Sequence, residues 1–316
     1  MYKRITDKTE YIHHLEVSNL PISHGENSIK IKLFDKELLV NKDDVWLRHL
    51  HLKVTDICNA RCNFCVEKDS HIKSDAKRFL QQTDAMLYEM EKADILFSVS
   101  VTGGEPMLFE DLIGLYKILE CHDIKFLTMN TNGKYLQNKI NRIDGLFNFI
   151  DISRHSLSDY RNCKIFDCDM PSISELIELR QNMKKTKMRL QCVMLDMRNI
   201  DDFLQFIDQF GFADDLSFRR LMKVPNQDYD TNDDLYFKIL DYAYNNFEFK
   251  EQTIQDYYVY EIWNNGTTDI TFSYSDMSML LKNEETEDDR ICREFIIHPN
   301  GTITGSWNIN NKIIEA

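Results

Sequence analysis

Six short apolar runs, each followed by a stretch of helical spacing, most tightly limit what this chain folds into. The runs are Arg48–Ile57, Ile95–Thr102, Ile124–Thr131, Phe147–Ser153, Met188–Leu195 and Asp215–Met222. Between them lie Asp75–Ala93, Phe109–His122, Leu136–Leu146, Ser172–Lys184 and Ile200–Phe210. Here apolar residues recur three and four apart, as in Leu112, Leu115, Ile118 and Leu119. Strand alternating with helix predicts repeated βαβ units and a parallel sheet. The fold class is therefore α/β, and six units make an open or partial (β/α)6 TIM-like barrel.

A parallel sheet covered on both faces reads as nearly continuous apolar sequence. These strands alternate instead. Leu50, Leu52 and Val54 oppose His49, His51, Lys53 and Thr55; Asp151, Ser153 and His155 share a face, as do Arg189 and Gln191. A polar face predicts a wet interior that holds something, with simple half-exposure as the alternative. Ahead of the sheet, Ser28–Val40 reads as a hairpin turning near Asp35-Lys36. After Lys223 a linker-like stretch leads to a helix near Leu235–Phe247. Strands are expected at Thr268–Tyr274, Glu294–Pro299 and Thr302–Trp307, the last two flanking the hairpin turn Asn300-Gly301. The expected divisions are 1–46, an N-terminal extension with the hairpin; 47–225, the βα core; and 226–316, a small α+β C-terminal cap.

Charge separates the same regions. The formal net charge is −14, and residues 226–316 hold 18 of the 52 acidic but only 6 of the 38 basic residues. Such a field repels phosphate, so neither nucleic acid nor an anionic membrane surface is expected as a partner. An acidic cap would suit a basic substrate, although runs such as Glu284–Asp289 are ordinarily solvated loops. The N-terminal stretch has no apolar core of signal-peptide length, and no apolar run is long enough to span a bilayer. The expected compartment is a reducing cytoplasm, where clustered cysteines point to metal or redox chemistry.

Three of the eight cysteines, Cys58, Cys62 and Cys65, crowd the end of the first βα strand in a CxxxCxxC pattern. A closed zinc site wants four ligands, and a ferredoxin-type cluster wants four cysteines. His71 is the only histidine close by. Three thiolates leave one iron of a 4Fe–4S cluster open for another ligand. The second strand ends in Thr102-Gly103-Gly104-Glu105-Pro106 and the third in Asn130-Thr131-Asn132-Gly133.

In that order, at successive strand ends, these motifs resemble the radical S-adenosylmethionine (radical SAM) superfamily; the likeness runs from about Leu47 to Val224. The resemblance implies that Cys58, Cys62 and Cys65 hold one 4Fe–4S cluster, whose open iron binds S-adenosylmethionine (SAM). An electron from the cluster, delivered by a donor such as flavodoxin or ferredoxin, then yields a 5′-deoxyadenosyl radical that abstracts hydrogen from a small-molecule or peptide substrate. It further implies that Phe64 lies against the adenine, that Gly103 and Gly104 give a close backbone approach, and that Glu105 receives the SAM amino group. Gly103–Pro106 also reads as an ordinary strand-to-helix turn, and Asn132 either touches SAM or caps its turn. Ser153 and Gln191 stand where the family often touches ribose or methionine, or are ordinary polar interior residues. A relative without activity, binding a cluster as a structural or sensing module, is the alternative function.

Further residues extend the resemblance or depart from it. Cys292 and the Asn-Gly hairpin resemble the start of a twitch or SPASM extension, but Gly305, Ser306 and Trp307 stand where more cluster cysteines are expected. A second cluster is therefore not expected. A general likeness to the molybdenum-cofactor GTP cyclase group meets the same objection, because that group holds its nucleotide with a second cluster. The Ser28–Val40 hairpin would accept a peptide leader by strand addition. Cys163 and Cys168 fall in an expected loop, Asp159–Ser172, after the fourth strand. Cys163 would there donate a hydrogen atom to a substrate radical, or simply pack. Cys121 and Cys192 read as structural. Arg219 and Arg220 would clamp an anionic substrate or form an ion pair, and alternation lets only one face inward.

Overall fold

The structure, a computed structural model, describes residues 28–41, 45–65, 67, 70–221, 232–255, 258–275, 291–292, 294–307, 309–310 and 312–314. The strand end at Met222, the linker-like 223–231 and the acidic run 284–289 lie outside the described residues. In chain order the elements are β1 (Ser28–Leu33), β2 (Lys36–Asn41), β3 (His49–Lys53), α1 (Ala76–Lys92), β4 (Ser98–Thr102), α2 (Leu112–Glu120), β5 (Phe126–Thr131) and α3 (Ile140–Ile143). Next come β6 (Phe149–Ser153), α4 (Asp159–Phe166), α5 (Ile173–Asn182), β7 (Lys187–Val193), α6 (Ile200–Phe210) and β8 (Asp215–Arg219). The remainder is α7 (Asp233–Asn246), β9 (Glu248–Gln255), β10 (Tyr258–Asn264), β11 (Asp269–Ser275), β12 (Ile291–Cys292), β13 (Phe295–Ile297), β14 (Ile303–Thr304) and β15 (Lys312–Ile314). The mixed α/β fold and its alternating order agree with the sequence reading.

The chain divides into two compact units, one of them Ile22–Ile150, Lys184–Thr186 and Glu287–Ala316. Here β3, β4 and β5 pair in parallel, Leu50 against Val99 and Val99 against Leu127. Their apolar face is sealed, with Leu50, Leu52, Val99, Val101 and Met129 all buried. Helix α1 covers such a face because Phe79, Met86, Leu87 and Met90 recur at helical spacing and are buried. Each fully buried side chain of this size contributes roughly 1.5–3 kcal/mol. Asp75 caps the helix by accepting from Arg78 N. On the free edge of β3, β13 adds in parallel, Phe295 against Leu50, and β14 and β15 follow antiparallel. A separate three-stranded sheet has the order β1-β2-β12. Its hairpin turns at Phe34-Asp35, both with positive φ, one residue before the expected place. The helix expected over Leu136–Leu146 shrinks to the single turn α3. Gly145 ends it at φ +98, and the Asp144 carboxylate instead accepts from the backbone N–H of Lys184, Lys185 and Thr186.

The other unit is Met1–Pro21, Asp151–Met183 and Lys187–Thr286. Strands β7, β8 and β11 pair in parallel, and β10 and β9 continue antiparallel from β11. Phe203 and Phe206 of α6 meet Phe218 of β8 edge to face. Ser172 and Glu175 close a reciprocal capping box on α5. Two elements depart from expectation. The stretch Asp159–Ser172, expected as a loop, contains α4: Ser158 caps it by accepting from Arg161 N, and Asp167 ends it in a left-handed conformation at φ 50. Eight residues of modest helix propensity carry little periodic signal. Strands β9 and β10 are absent from the sequence reading: Glu248, Lys250, Glu251 and Gln252 dilute the apolar alternation of β9, whereas β10 alternates and its aromatic and β-branched residues were a readable signal.

Candidate active site

Residues of the first unit assemble the motif ends. The sheet ladder runs on past β3, with Val54 N–H donating to Thr102 O at 2.9 Å. Gly104 N–H then donates to Thr55 O at 2.6 Å and Glu105 N–H to Ile57 O at 2.8 Å. The two backbones touch so closely that a side chain has no room. A Cβ on Gly103, whose φ is +139, would lie 2.5 Å from Thr55 O, and one on Gly104 would lie 2.4 Å from Ile57 O. The close approach at Gly103 and Gly104 is thus made to the segment that leads directly into the cysteine loop.

That loop carries Cys58 exposed and Cys62 and Cys65 half-buried, none in a disulfide. A turn places Cys65 N 3.2 Å from Cys62 O, and half-buried Phe64 sits inside it. Ala60 N–H donates to Cys58 Sγ at 3.4 Å. The donor set, three thiols on one non-helical loop, fits a 4Fe–4S cluster with one open iron. Among the described residues no three His, Cys, Asp or Glu side chains converge on a single ion. A cubane does not ask for that, since its thiolates bind separate irons.

The loop is tied down by a polar network that the sequence reading missed. Lys53, 3% exposed, donates to Ser70 Oγ at 2.8 Å, pairs with Asp56 at 2.9 Å and also pairs with Glu67. Asp56 Oδ2 in turn accepts from Ser70 Oγ at 2.8 Å and Ile72 N–H at 2.7 Å. Burial alone would raise the Asp56 carboxyl, but Ile72 N–H, Lys53 and Ser70 together hold it below the usual carboxylate range. The available signal was a lysine in alternation with buried Leu52 and Val54.

Glu105 is fully buried. Its Oε1 accepts from Thr131 Oγ1 at 2.6 Å and Met107 N–H at 3.1 Å, and Oε2 accepts from Asn132 N–H at 2.8 Å. Burial raises its pKa against the pull of these donors. The carboxylate thereby joins the ends of β4 and β5. Asn132 extends the connection, its Nδ2 donating to Asn59 Oδ1 at 2.9 Å inside the cysteine loop. Cys58, Phe64, Gly103, Gly104, Glu105 and Asn132 therefore belong to one connected arrangement at the carboxyl ends of β3, β4 and β5, the end at which parallel α/β sheets build their sites.

The other expected residues lie in the second unit. Ser153 and Gln191 are half-buried, on β6 and β7. Beside Gln191, Arg189 stands between Asp151 at 3.4 Å and Asp215 at 3.3 Å. Burial raises the pKa of both carboxyls against the Arg189 charge, Asp215 to about 6. Cys163 lies on α4, half-buried, with Met170 N–H donating to its Sγ at 3.4 Å. Cys192 is buried, as expected of a structural thiol, and Cys121 closes α2. Arg220 is the structural arginine: it pairs with Asp233 at 2.9 Å and stacks 4.3 Å from the Tyr274 ring centroid.

A sequence model of the Radical SAM superfamily matches residues 52–210, half of the chain. The chain belongs to the radical SAM superfamily. Members of this family of enzymes bind a 4Fe–4S cluster and SAM. The GTP 3′,8-cyclase of Aquifex aeolicus (strain VF5) is 29% identical over 177 residues, 53% of this radical SAM chain and 54% of that protein. The chain thus spans about half the length of the curated relatives it matches. Streptococcus suis SuiB bound to precursor peptide SuiA aligns with 98% of this chain and 65% of its own at TM-score 0.58 and 16% identity. The structure of anSMEcpe with bound AdoMet aligns with 85% of this chain and 75% of its own at TM-score 0.52 and 16% identity. At such identities the likeness is one of fold. Among the described residues no helix is long and apolar enough to cross a membrane.

Proposed function

We propose that the chain is a cytoplasmic radical SAM enzyme in which Cys58, Cys62 and Cys65 hold a 4Fe–4S cluster. Phe64, Gly103, Gly104, Glu105 and Asn132, with Ser153 and Gln191, would hold SAM. The observation that carries this reading is the pair of backbone hydrogen bonds from Gly104 and Glu105 to Thr55 and Ile57, which ties the Gly-Gly-Glu motif to the root of the cysteine loop. When bound, the cluster and SAM supply, on one-electron reduction, a 5′-deoxyadenosyl radical that abstracts hydrogen from a substrate.

The chain's own part is binding and orientation. The three thiols supply the soft ligands, and the absence of a fourth nearby cysteine leaves a coordination position for SAM. The Lys53 network and the two glycines fix the loop's root, so that its thiols are presented from a rigid base. Glu105, already bonded to Thr131 and Asn132, would offer its remaining lone-pair capacity to the SAM amino group. An electron donor such as flavodoxin or ferredoxin is part of the proposal. So is a peptide or small-molecule substrate; the peptide-bound SuiB of like fold and the outer edge of β1, unpaired among the described residues, support a peptide. GTP cyclisation is not proposed, because Gly305, Ser306 and Trp307 follow Cys292 where a second cluster would need cysteines.

Anaerobic reconstitution followed by dithionite and SAM tests the reading. Iron–sulfur absorption and release of 5′-deoxyadenosine are expected, with both lost when Cys58, Cys62 and Cys65 are replaced by Ala. A cluster without 5′-deoxyadenosine would leave an inactive cluster-binding module. No cluster at all would end both readings.

A further inference from the structure

Arg219 closes β8 at its carboxyl end, and its guanidinium makes no hydrogen bond or ion pair among the described residues; Nε is buried without a partner. Its neighbour Arg220 is fully engaged by Asp233 and Tyr274. The contrast settles which of the adjacent arginines is structural. A strand sends consecutive side chains to opposite faces, and Arg219 shares its face with Val193 of β7 and Ser273 of β11, its register partners. Arg189 and Asp215 lie lower on the same face, and Asp151 and Tyr258 feel the Arg219 charge.

Leaving a buried guanidinium donor unpaired costs free energy, so a ligand that accepts from the fork is favoured at this position. The ligand's charge follows from the neighbours. Arg189 serves two carboxylates, Asp151 and Asp215, whereas Arg219 has no ion pair or hydrogen bond among the described residues. A monoanionic, planar acceptor matches the guanidinium fork. A phosphate dianion would add a second negative charge against Asp151. We propose that Arg219 is the anchor for a carboxylate of the substrate. The inference deepens the function proposed above and rests on it. It sets aside the basic substrate suggested by the acidic C-terminal third, whose densest run lies outside the described residues.

Saturation-transfer NMR and calorimetry on the full chain test it without the cluster. N-acetylglycine represents a free small-molecule acid, and N-acetylglutamic acid α-amide represents a peptide side chain. Each is paired with its uncharged carboxamide, and methyl phosphate is run alongside. At least one of the two acids is expected to bind, its carboxamide not, with affinity weakened at least about tenfold in Arg219→Met. Which acid binds better distinguishes the two sources. Arg219→Lys, which keeps charge but loses the fork, is expected to fall between and provides a second variant should Arg219→Met fail to fold. Equal binding to wild type and both variants, binding of neither acid, or tighter binding of methyl phosphate overturns the proposal. Failure of cluster loading or SAM cleavage in wild type would instead overturn the radical SAM reading, which these binding measurements do not touch.

Discussion

Lys53 and Glu67 form an ion pair that joins the strand before the cysteine loop to the turn after it. Lys53 is almost wholly buried, so the pair is held in low dielectric and its partners are not interchangeable with water. Replacing Lys53 by Met leaves Asp56 and Glu67 without their cation and is expected to cost roughly 3–5 kcal/mol, read by chemical denaturation. Iron retained after anaerobic desalting should fall as well. Adding Glu67→Gln to Lys53→Met should recover part of the stability, since it removes one of the orphaned charges. A single variant as stable as wild type, with full iron content, would show that the pair does not hold the loop.

Gly104→Ala places a methyl group 2.4 Å from Ile57 O, a backbone atom with little freedom to retreat. A loss of about 1–3 kcal/mol is expected, together with reduced iron binding, because the displaced atom leads into the loop. Gly266 is the comparison. Its φ is +99 but nothing lies within 4 Å of an added Cβ. Gly266→Ala should therefore lose about 1–2 kcal/mol through backbone strain alone and bind iron normally. Parallel melts and iron assays separate the two.

Glu105→Ala leaves Thr131 Oγ1, Asn132 N–H and Met107 N–H without their acceptor. Each such group costs about 1–3 kcal/mol. Glu105→Gln keeps one side-chain oxygen and should be the milder change. Thermal denaturation of the chain before reconstitution reads the structural part, and SAM titration after reconstitution reads the rest. Equal melting temperatures for wild type and Glu105→Ala would remove the structural role.

Asp215 gives a pH dependence of definite sign. Burial lifts its carboxyl from the ordinary 3.8 to about 6 in the folded chain. Between those values the folded chain holds a proton that the unfolded chain has lost. Stability contributed at this position therefore falls as pH rises across that window, by roughly 2–3 kcal/mol. Unfolding free energies measured from pH 4 to pH 7 on wild type and Asp215→Asn should diverge in that direction. Parallel curves would place the titration elsewhere.

The strand and helix order could be read because each βα unit repeats the same apolar punctuation, and the cysteine loop because its spacing is rigid in sequence. The roles of Gly103 and Gly104 were legible as a need for close approach, but not the object approached, which is the backbone of Thr55 and Ile57. Nothing in the local sequence announces that Lys53 reaches Glu67 or that Asn132 reaches Asn59, because such pairs come together only once the strands align. Strand β9 is hard to read because charged and polar residues break its apolar alternation, while β10, with its regular alternation, was legible and went unread. Helix α4 was missed because eight residues give little more than two turns of pattern.

Pairing of β13 with the outer edge of β3 has a consequence for biosynthesis. Residues 295–297 leave the ribosome long after His49–Lys53. Until they do, the strand that delivers the cysteine loop keeps one row of backbone donors and acceptors open. A nascent chain that has emerged only through β8 thus exposes a pairing edge beside its three thiols, where strand addition by another chain and oxidation compete with folding. The edge of the strand that leads into the cysteine loop is closed only when residues 295–297 fold back onto it.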